Sequence, residues 1–405
     1  MLQKIHFPLP EDSLEYLKSP IASPWILVML MLGILYERFN NLYYSSAVAI
    51  YALLTGFLAL WFKLPRWFFY VIVILLLARH IHIYGLNFSK ISVDVDSTRD
   101  EAVEVATQTL LQGKNPWSVS VGPPGFPVPI STGPASILFA IPVIMLFGEI
   151  NWLTFFVWLV FFGILLIGDI ITKNSTFPLL ALLFIEGIFF TEVTMHMSLE
   201  ELYYPFIFFP LSYWLVNRKQ YFLAGAVLFI PALFRLVYIP AILGFLLWCA
   251  INKQLTRRQF LKMGLGAIII TLTILLPFVI IGREEFINNN FLVFALYLSH
   301  SSGWLDNNFI FHALNSISQT VGTEIMVLIK LLITTLLLGL ISLRLRNLTH
   351  PFWHITAGAF IALTITWSPA YSPVDYALFA ILPAFIAIAF TPSPFPHQAK
   401  DLRRF

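Results

Sequence analysis

Four carboxylates fall within one short stretch, Asp94, Asp96, Asp100 and Glu101. A carboxylate with an ordinary pKa near 4 is ionised at neutral pH and ready to act as a general base once it is held in place. Farther on, Met195-His196-Met197-Ser198-Leu199-Glu200-Glu201 offers a titratable imidazole beside two acids. Arg235 stands among Phe234, Leu236, Val237 and Tyr238, where a guanidinium is costly unless it is paired or reaches an interface. Its candidate partners are a protein carboxylate and a phosphate, both of which suit the guanidinium fork. The aromatic side chains of Trp117, Tyr371 and Tyr376 suit either stacking on a sugar face or an interfacial belt.

The elements that must position these groups are read from the surrounding sequence. Ser97-Thr98-Arg99-Asp100-Glu101 supplies a capping hydroxyl followed by acids, and apolar positions Val103, Ala106, Leu110 and Leu111 follow helical spacing up to Gly113. This pattern predicts an amphipathic surface helix, stopped by Lys114-Asn115-Pro116-Trp117, with Asp100 at its start. The run Gly122-Pro123-Pro124-Gly125-Phe126-Pro127-Val128-Pro129 is too rich in proline for helix or sheet and is expected to be extended or turned.

Of the 405 residues, 59% are hydrophobic and 11% charged, with a mean hydropathy of +0.82. That composition is far from the quarter-charged average of water-soluble domains and predicts a polytopic membrane protein. Apolar stretches near 22–38, 43–62, 67–85, 152–172, 177–193, 203–217, 263–282, 323–343, 352–367 and 374–390 read as spans, several of them short. The stretch 220–251 is long enough for two short helices joined at Arg235, a broken hairpin, and 134–148 reads as a helix that does not cross. With that choice most Lys and Arg, among them Lys63, Arg66, Lys173, Arg218, Lys219, Lys253, Arg257 and Arg258, fall on one side. The expected orientation places both termini in the cytoplasm, with the acid-bearing segment 86–149 outside. The expected fold is therefore all-α, a single integral-membrane domain over 1–405 with about ten to twelve spans. Asp169, Glu186, Arg79 and Lys330 fall within spans, where internal pairing or snorkelling suffices, and His80 and His82 read as interfacial.

Several classes are excluded or gain no support. The N-terminal twenty residues contain Glu11, Asp12 and Glu15 and lack the apolar core of a secretory signal. There is no Gly-x-Ser-x-Gly elbow, no phosphate-binding loop, no His-Glu-x-x-His and no dinucleotide-type glycine string. The single cysteine, Cys249, rules out an internal disulfide. Nucleic acid is not an expected partner, because the basic residues sit in short turns rather than on one face.

Asp100-Glu101-Ala102 with the run to Leu110-Leu111-Gln112-Gly113-Lys114-Asn115-Pro116-Trp117 resembles the first external loop of the GT-C superfamily of integral-membrane glycosyltransferases. The tryptophan stands where that family usually has tyrosine. Pro129-Ile130-Ser131-Thr132-Gly133-Pro134 is similar to the segment that follows, and Arg218 to Gly225 through Phe234-Arg235 to Pro240 resembles a stretch in which Arg235 replaces the usual lysine. Trp367-Ser368-Pro369-Ala370-Tyr371, with Tyr376 and Pro383, resembles the late external turn of mannosyltransferase-like branches.

The resemblance implies a cell-envelope glycan enzyme of the bacterial inner membrane, with its site facing the periplasm. It would transfer a hexose, with inversion, from a polyprenyl-phosphate sugar donor to a glycan, lipid or protein acceptor. Asp100 would be the catalytic base, with Glu101 beside it, and Arg235 would hold the donor phosphate. Asp94, Asp96, His196, Glu200, Glu201, Trp117, Tyr371 and Tyr376 would be substrate-binding candidates. Membrane lipids are expected partners and no cofactor is expected; Asp94 and Asp96 mimic a metal-binding Asp-x-Asp, but nothing else supports a divalent ion. The alternatives are a polytopic transporter or lipid flippase and a polysaccharide polymerase or ligase.

Overall fold

The computed structural model describes residues 98–121, 128–130, 132–148, 150–172, 204–292, 323–348, 350–362 and 382–391, together with Pro65, Trp67 and Val71. The chain divides into two compact units. One comprises 1–87, 162–195 and 385–405, and the other 88–161 and 196–384.

The larger unit is built almost wholly of helices, and its punctuation can be read residue by residue. Helix α1, Thr98–Leu111, ends where Gly113 takes φ 74. There Lys114 N–H donates to the Thr109 carbonyl at 3.1 Å and Gly113 N–H to that of Leu110 at 2.8 Å, a left-handed cap that satisfies two of the last free carbonyls. Asn115 then accepts from Trp117 N–H at 3.0 Å and starts a single 3-10 turn at Pro116. A two-strand antiparallel pair follows, β1 Ser120–Val121 against β2 Val128–Pro129, with Ser120 opposite Pro129. Helix α2, Pro134–Phe147, opens on proline, whose missing N–H costs nothing at a helix start, and closes at Gly148 with φ 81.

Helix α3, Asn151–Thr172, belongs to the larger unit up to Phe161 and to the smaller one from Phe162; then come α4, Phe208–Asn217, and α5, Tyr221–Phe234. A 3-10 turn at Leu236–Tyr238 leads into α6, Ile239–Ile251. Helix α7, Arg257–Ile287, begins with a reciprocal cap in which Thr256 Oγ1 accepts from Gln259 N–H and the Gln259 side chain accepts from Thr256 N–H at 2.7 Å. Helices α8, Thr323–Arg344, and α9, Phe352–Ile361, complete the described set in this unit.

Two aromatic-rich groupings make the core. Helices α4, α5 and α7 pack together, with the α4 hydroxyl of Ser212 donating to the Ala224 carbonyl of α5 at 2.9 Å. Helices α6, α8 and α9 form the other, where Trp248 Nε1–H donates to the Leu348 carbonyl at 3.2 Å and Tyr213 of α4 meets both Trp248 and Phe352 edge-on. The anticipated break at Arg235 is present, but α5 and α6 pack mainly on different neighbours, α7 for the first and α9 for the second. In the smaller unit, Thr172 Oγ1 donates to the Ala389 carbonyl at 2.9 Å, and Gly168 lies against Ala389.

The structure corrects the polytopic fold. Among the described residues, one helix, Arg257–Asn290, is long and apolar enough to cross a membrane. Helices α2, α4, α5, α6 and α9 have 10 to 14 residues, about 15–21 Å of rise, well short of a hydrocarbon core about 30 Å thick. Proline, glycine and Arg235 cut apolar sequence into these pieces, and much of their apolar surface is turned inward. Ten to twelve spans, the GT-C-like arrangement and an inner-membrane topology built on those spans are therefore not borne out. The spans read near 22–38, 43–62 and 177–193 lie outside the described residues. The predicted surface helix does form as α1, yet Ala102, Val103 and Ala106 are buried in the protein while Leu111 is exposed.

Candidate functional site

The densest assembly of singled-out residues lies where α1, Trp117, the start of α2, the end of α5 and the end of α7 meet. Trp117 is 2% exposed, with its ring edge-on to Phe278 and Phe286 of α7 at centroid distances of 5.5 and 4.7 Å. Its indole N–H donates to the Thr132 carbonyl at 3.2 Å, and its own carbonyl accepts from the Asn289 side chain at 3.3 Å. A ring so enclosed serves the core and offers no open face for a sugar. Gly282 of α7 lies against this ring, and the next residue, Arg283, has φ 42 and ψ −125 inside the helix. A non-glycine residue in that conformation stores strain, and it presents Arg283, Glu284 and Glu285 as an exposed charged cluster at the kink.

Gly133, the residue that caps α2, lies directly on the Leu233 and Phe234 carbonyls at the end of α5. Half-buried Arg235 follows at once, so it belongs to the start of α2. At the other end of α2, Ile150 N–H approaches Glu104 Oε2 of α1 at 3.5 Å. With Trp117 bonded to Thr132, this fixes α1 antiparallel to α2. The first turn of α1, with Asp100 and Glu101, thus lies toward Ile150, and Arg235 toward Gly133. The 14-residue length of α2, about 21 Å, separates the two ends.

Asp94, Asp96, His196, Glu200, Glu201, Tyr371 and Tyr376 lie outside the described residues. No group of three or more His, Cys, Asp and Glu side chains able to hold a metal occurs among the described residues.

Three further buried polar residues stand apart from these candidates, Lys330, which the sequence reads as paired or snorkelling, and His350 and His354, which it does not single out. Lys330 of α8 is 2% exposed, and among the described residues it has neither a carboxylate nor a hydrogen-bond partner, in place of the pairing or snorkelling expected of it. His350 and His354 are buried between α8 and α9, with His354 Nε2 3.3 Å from the Leu345 carbonyl. Burial, and then the neighbouring His354, pushes His350 down from 6.5 to about 4; burial also lowers His354. Because the folded value lies below the unfolded one, the unfolded chain binds more protons between them, and stability is present above pH 6.5 and lost as pH falls toward 4. The thermal midpoint should therefore drop over that interval by the equivalent of about 2 kcal/mol, and His350→Gln should flatten the profile.

Comparison with protein-family models, with curated proteins and with solved structures finds no match to this chain. The GT-C resemblance is thus without support from any relative. The membrane glycosyltransferase reading built on it, with the transporter and polymerase alternatives, is set aside because the multiple spans that all of them require are not found among the described residues. No acidic cluster with metal-holding geometry takes its place there.

Proposed function

We propose that this chain works in contact with lipid, with α7 as the segment that enters the hydrocarbon and acyl chains as its partner. The observation that carries this reading is the spacing of charge along α7. From Met263 to Gly282 there is no charged residue, while Arg257, Arg258 and Lys262 precede that run and Arg283, Glu284 and Glu285 follow it. At 1.5 Å per residue the uncharged run covers about 30 Å, the thickness of a bilayer's hydrocarbon core. Its outer face is apolar and uncovered, with Leu265, Ile268, Leu272, Leu276 and Ile280 between 52% and 65% exposed. Contiguous apolar surface of this kind in contact with water is unfavourable, and lipid is the occupant that matches both its length and its charged ends.

The packing of α7 supports the same solvent. Gly225 of α5 and Gly266 of α7 each lie on backbone of the other helix, and Gly244 of α6 and Gly358 of α9 do the same. Close approach through small residues is how helices associate where apolar side chains gain nothing by leaving the solvent.

A fluorophore placed by Leu272→Cys, with the native thiol removed by Cys249→Ser, tests the reading in reconstituted vesicles. Quenching by lipids carrying a nitroxide in mid-chain, together with protection from aqueous iodide, is the expected result. Free access of iodide to position 272, with a label at Leu261→Cys no more exposed than it, would overturn the assignment.

A further inference from the structure

Helix α8 has two unlike faces. Leu328, Leu332, Leu336, Leu340 and Leu343 are exposed, while Lys330, Thr334, Leu338 and Ser342, four residues apart in turn, are buried. Among the described residues, Thr334 Oγ1 and Ser342 Oγ have no hydrogen-bond partner. The usual resort of a helical threonine is the carbonyl four residues back, as Thr335 shows beside it by donating to Leu331 at 2.8 Å. Thr107, Thr109 and Thr356 do the same. The Thr334 hydroxyl forgoes that bond, so a buried donor is left over one turn from Lys330, a residue 2% exposed.

Each of these groups is costly alone. An enclosed charge and an enclosed hydroxyl are both unfavourable until a partner meets them, and neither has one among the described residues. Side chains four apart on a helix have Cβ atoms about 5–6 Å apart, close enough for both to reach one small group. We infer that Lys330 and Thr334 form a binding site for a carboxylate, the ammonium donating to one oxygen and the hydroxyl to the other. A single positive charge is balanced by a monoanion, and two donors on adjacent turns match its two oxygens. The carboxylate can belong to a small free acid or to the head of a fatty acid. The site lies inside the protein and does not depend on lipid contact along α7.

The test uses the full chain in a non-ionic, carboxylate-free detergent, titrated with 13C-carboxyl acetate and, separately, 13C-carboxyl decanoate, with binding read from the carboxyl resonance. Saturable binding is expected. Lys330→Met should weaken it by 100-fold or more, and Thr334→Val by roughly 10-fold, the value of one hydrogen bond to a charged group. Equal affinities for the two probes would assign the site to a free acid, and markedly tighter binding of decanoate to an amphiphile. Without ligand, Lys330→Met should melt no lower than the wild type, because a chain of similar shape replaces an uncompensated charge. The inference is overturned if neither probe saturates the wild type, or if Lys330→Met binds as the wild type does. Should that variant fail to fold, an unchanged affinity in Thr334→Val overturns it equally.

Discussion

Gly266→Val should unfold most of the α5 and α7 pair, whereas Gly264→Val, two residues earlier on the same helix, should leave stability within about 1 kcal/mol of the wild type. The contrast comes from what lies beside each glycine. A Cβ on Gly266 would run into the Phe222 carbonyl and come within 3.1 Å of the Ala226 nitrogen, while nothing lies within 4 Å of one on Gly264. The crossing is reciprocal, because a Cβ on Gly225 would meet the Met263 carbonyl. Phe222 and Gly225 on one helix and Met263 and Gly266 on the other thus form the same arrangement twice, each glycine seated on the carbonyl that precedes the other.

Ordinary overpacking costs about 1–3 kcal/mol because side chains give way. Here the obstacle is main chain, so the helices must separate and lose the contacts of Ala224, Leu228, Met263 and Ala267, all buried. The expected loss for Gly266→Val is above about 4 kcal/mol, and Gly225→Val should match it. Urea or dodecyl sulfate titration, followed by circular dichroism, measures both. A Gly266→Val protein with a wild-type midpoint would mean that the two helices do not cross at these glycines. Gly244 and Gly358 should respond in the same way, since each lies on the backbone of its partner, at His354 and Pro240 respectively.

This crossing also shows what could be read from the sequence and what could not. Local punctuation was legible. Gly113 and the Lys114-Asn115-Pro116-Trp117 stop ended α1 as expected, Pro134 opened α2, and Arg235 marked the join of two short helices. Each of these depends on backbone geometry that one residue type dictates. The number of spans was not legible, because hydropathy scores a leucine alike whether it meets lipid or the next helix. In α5, the buried face of Ala224, Leu228 and Phe234 and the more exposed Phe222 and Leu223 are equally apolar as letters. Helix α7 differs in having charged residues at both ends of an uncharged run, a signal carried by position rather than composition. The roles of Asp100 and Arg235 were implied by the resemblance, whose motifs do not report that the first turn of α1 lies toward Ile150 and Arg235 toward Gly133, at the two ends of α2. Lys330 reads from the sequence as paired or snorkelling, because its significance comes from Thr334 and from burial, neither of which a single apolar segment announces.

Trp117→Ala should cost about 3–5 kcal/mol, the largest effect expected outside the glycine crossings. The indole fills the space between α1 and α7, against Ala102, Ala106, Ile130, Ile137, Phe278 and Phe286, and its removal also leaves the Thr132 carbonyl without its 3.2 Å donor. Trp117→Phe keeps part of the volume and loses the hydrogen bond, so a smaller loss of about 1–3 kcal/mol is expected. The sharper test pairs the tryptophan with Gly282. A Cβ there would stand 2.8 and 3.2 Å from two atoms of the indole ring and 2.7 Å from Phe286 Cβ, so Gly282→Ala should destabilise the wild type. In the Trp117→Ala background two of those three obstacles are gone, and the added methyl fills part of the cavity. The two substitutions should therefore be non-additive, the double variant being more stable than the sum of the singles predicts by at least about 1 kcal/mol. Strict additivity in a double-mutant cycle, read from unfolding midpoints, would mean that the indole does not seat against the α7 kink, and that Arg283 takes its left-handed conformation for another reason.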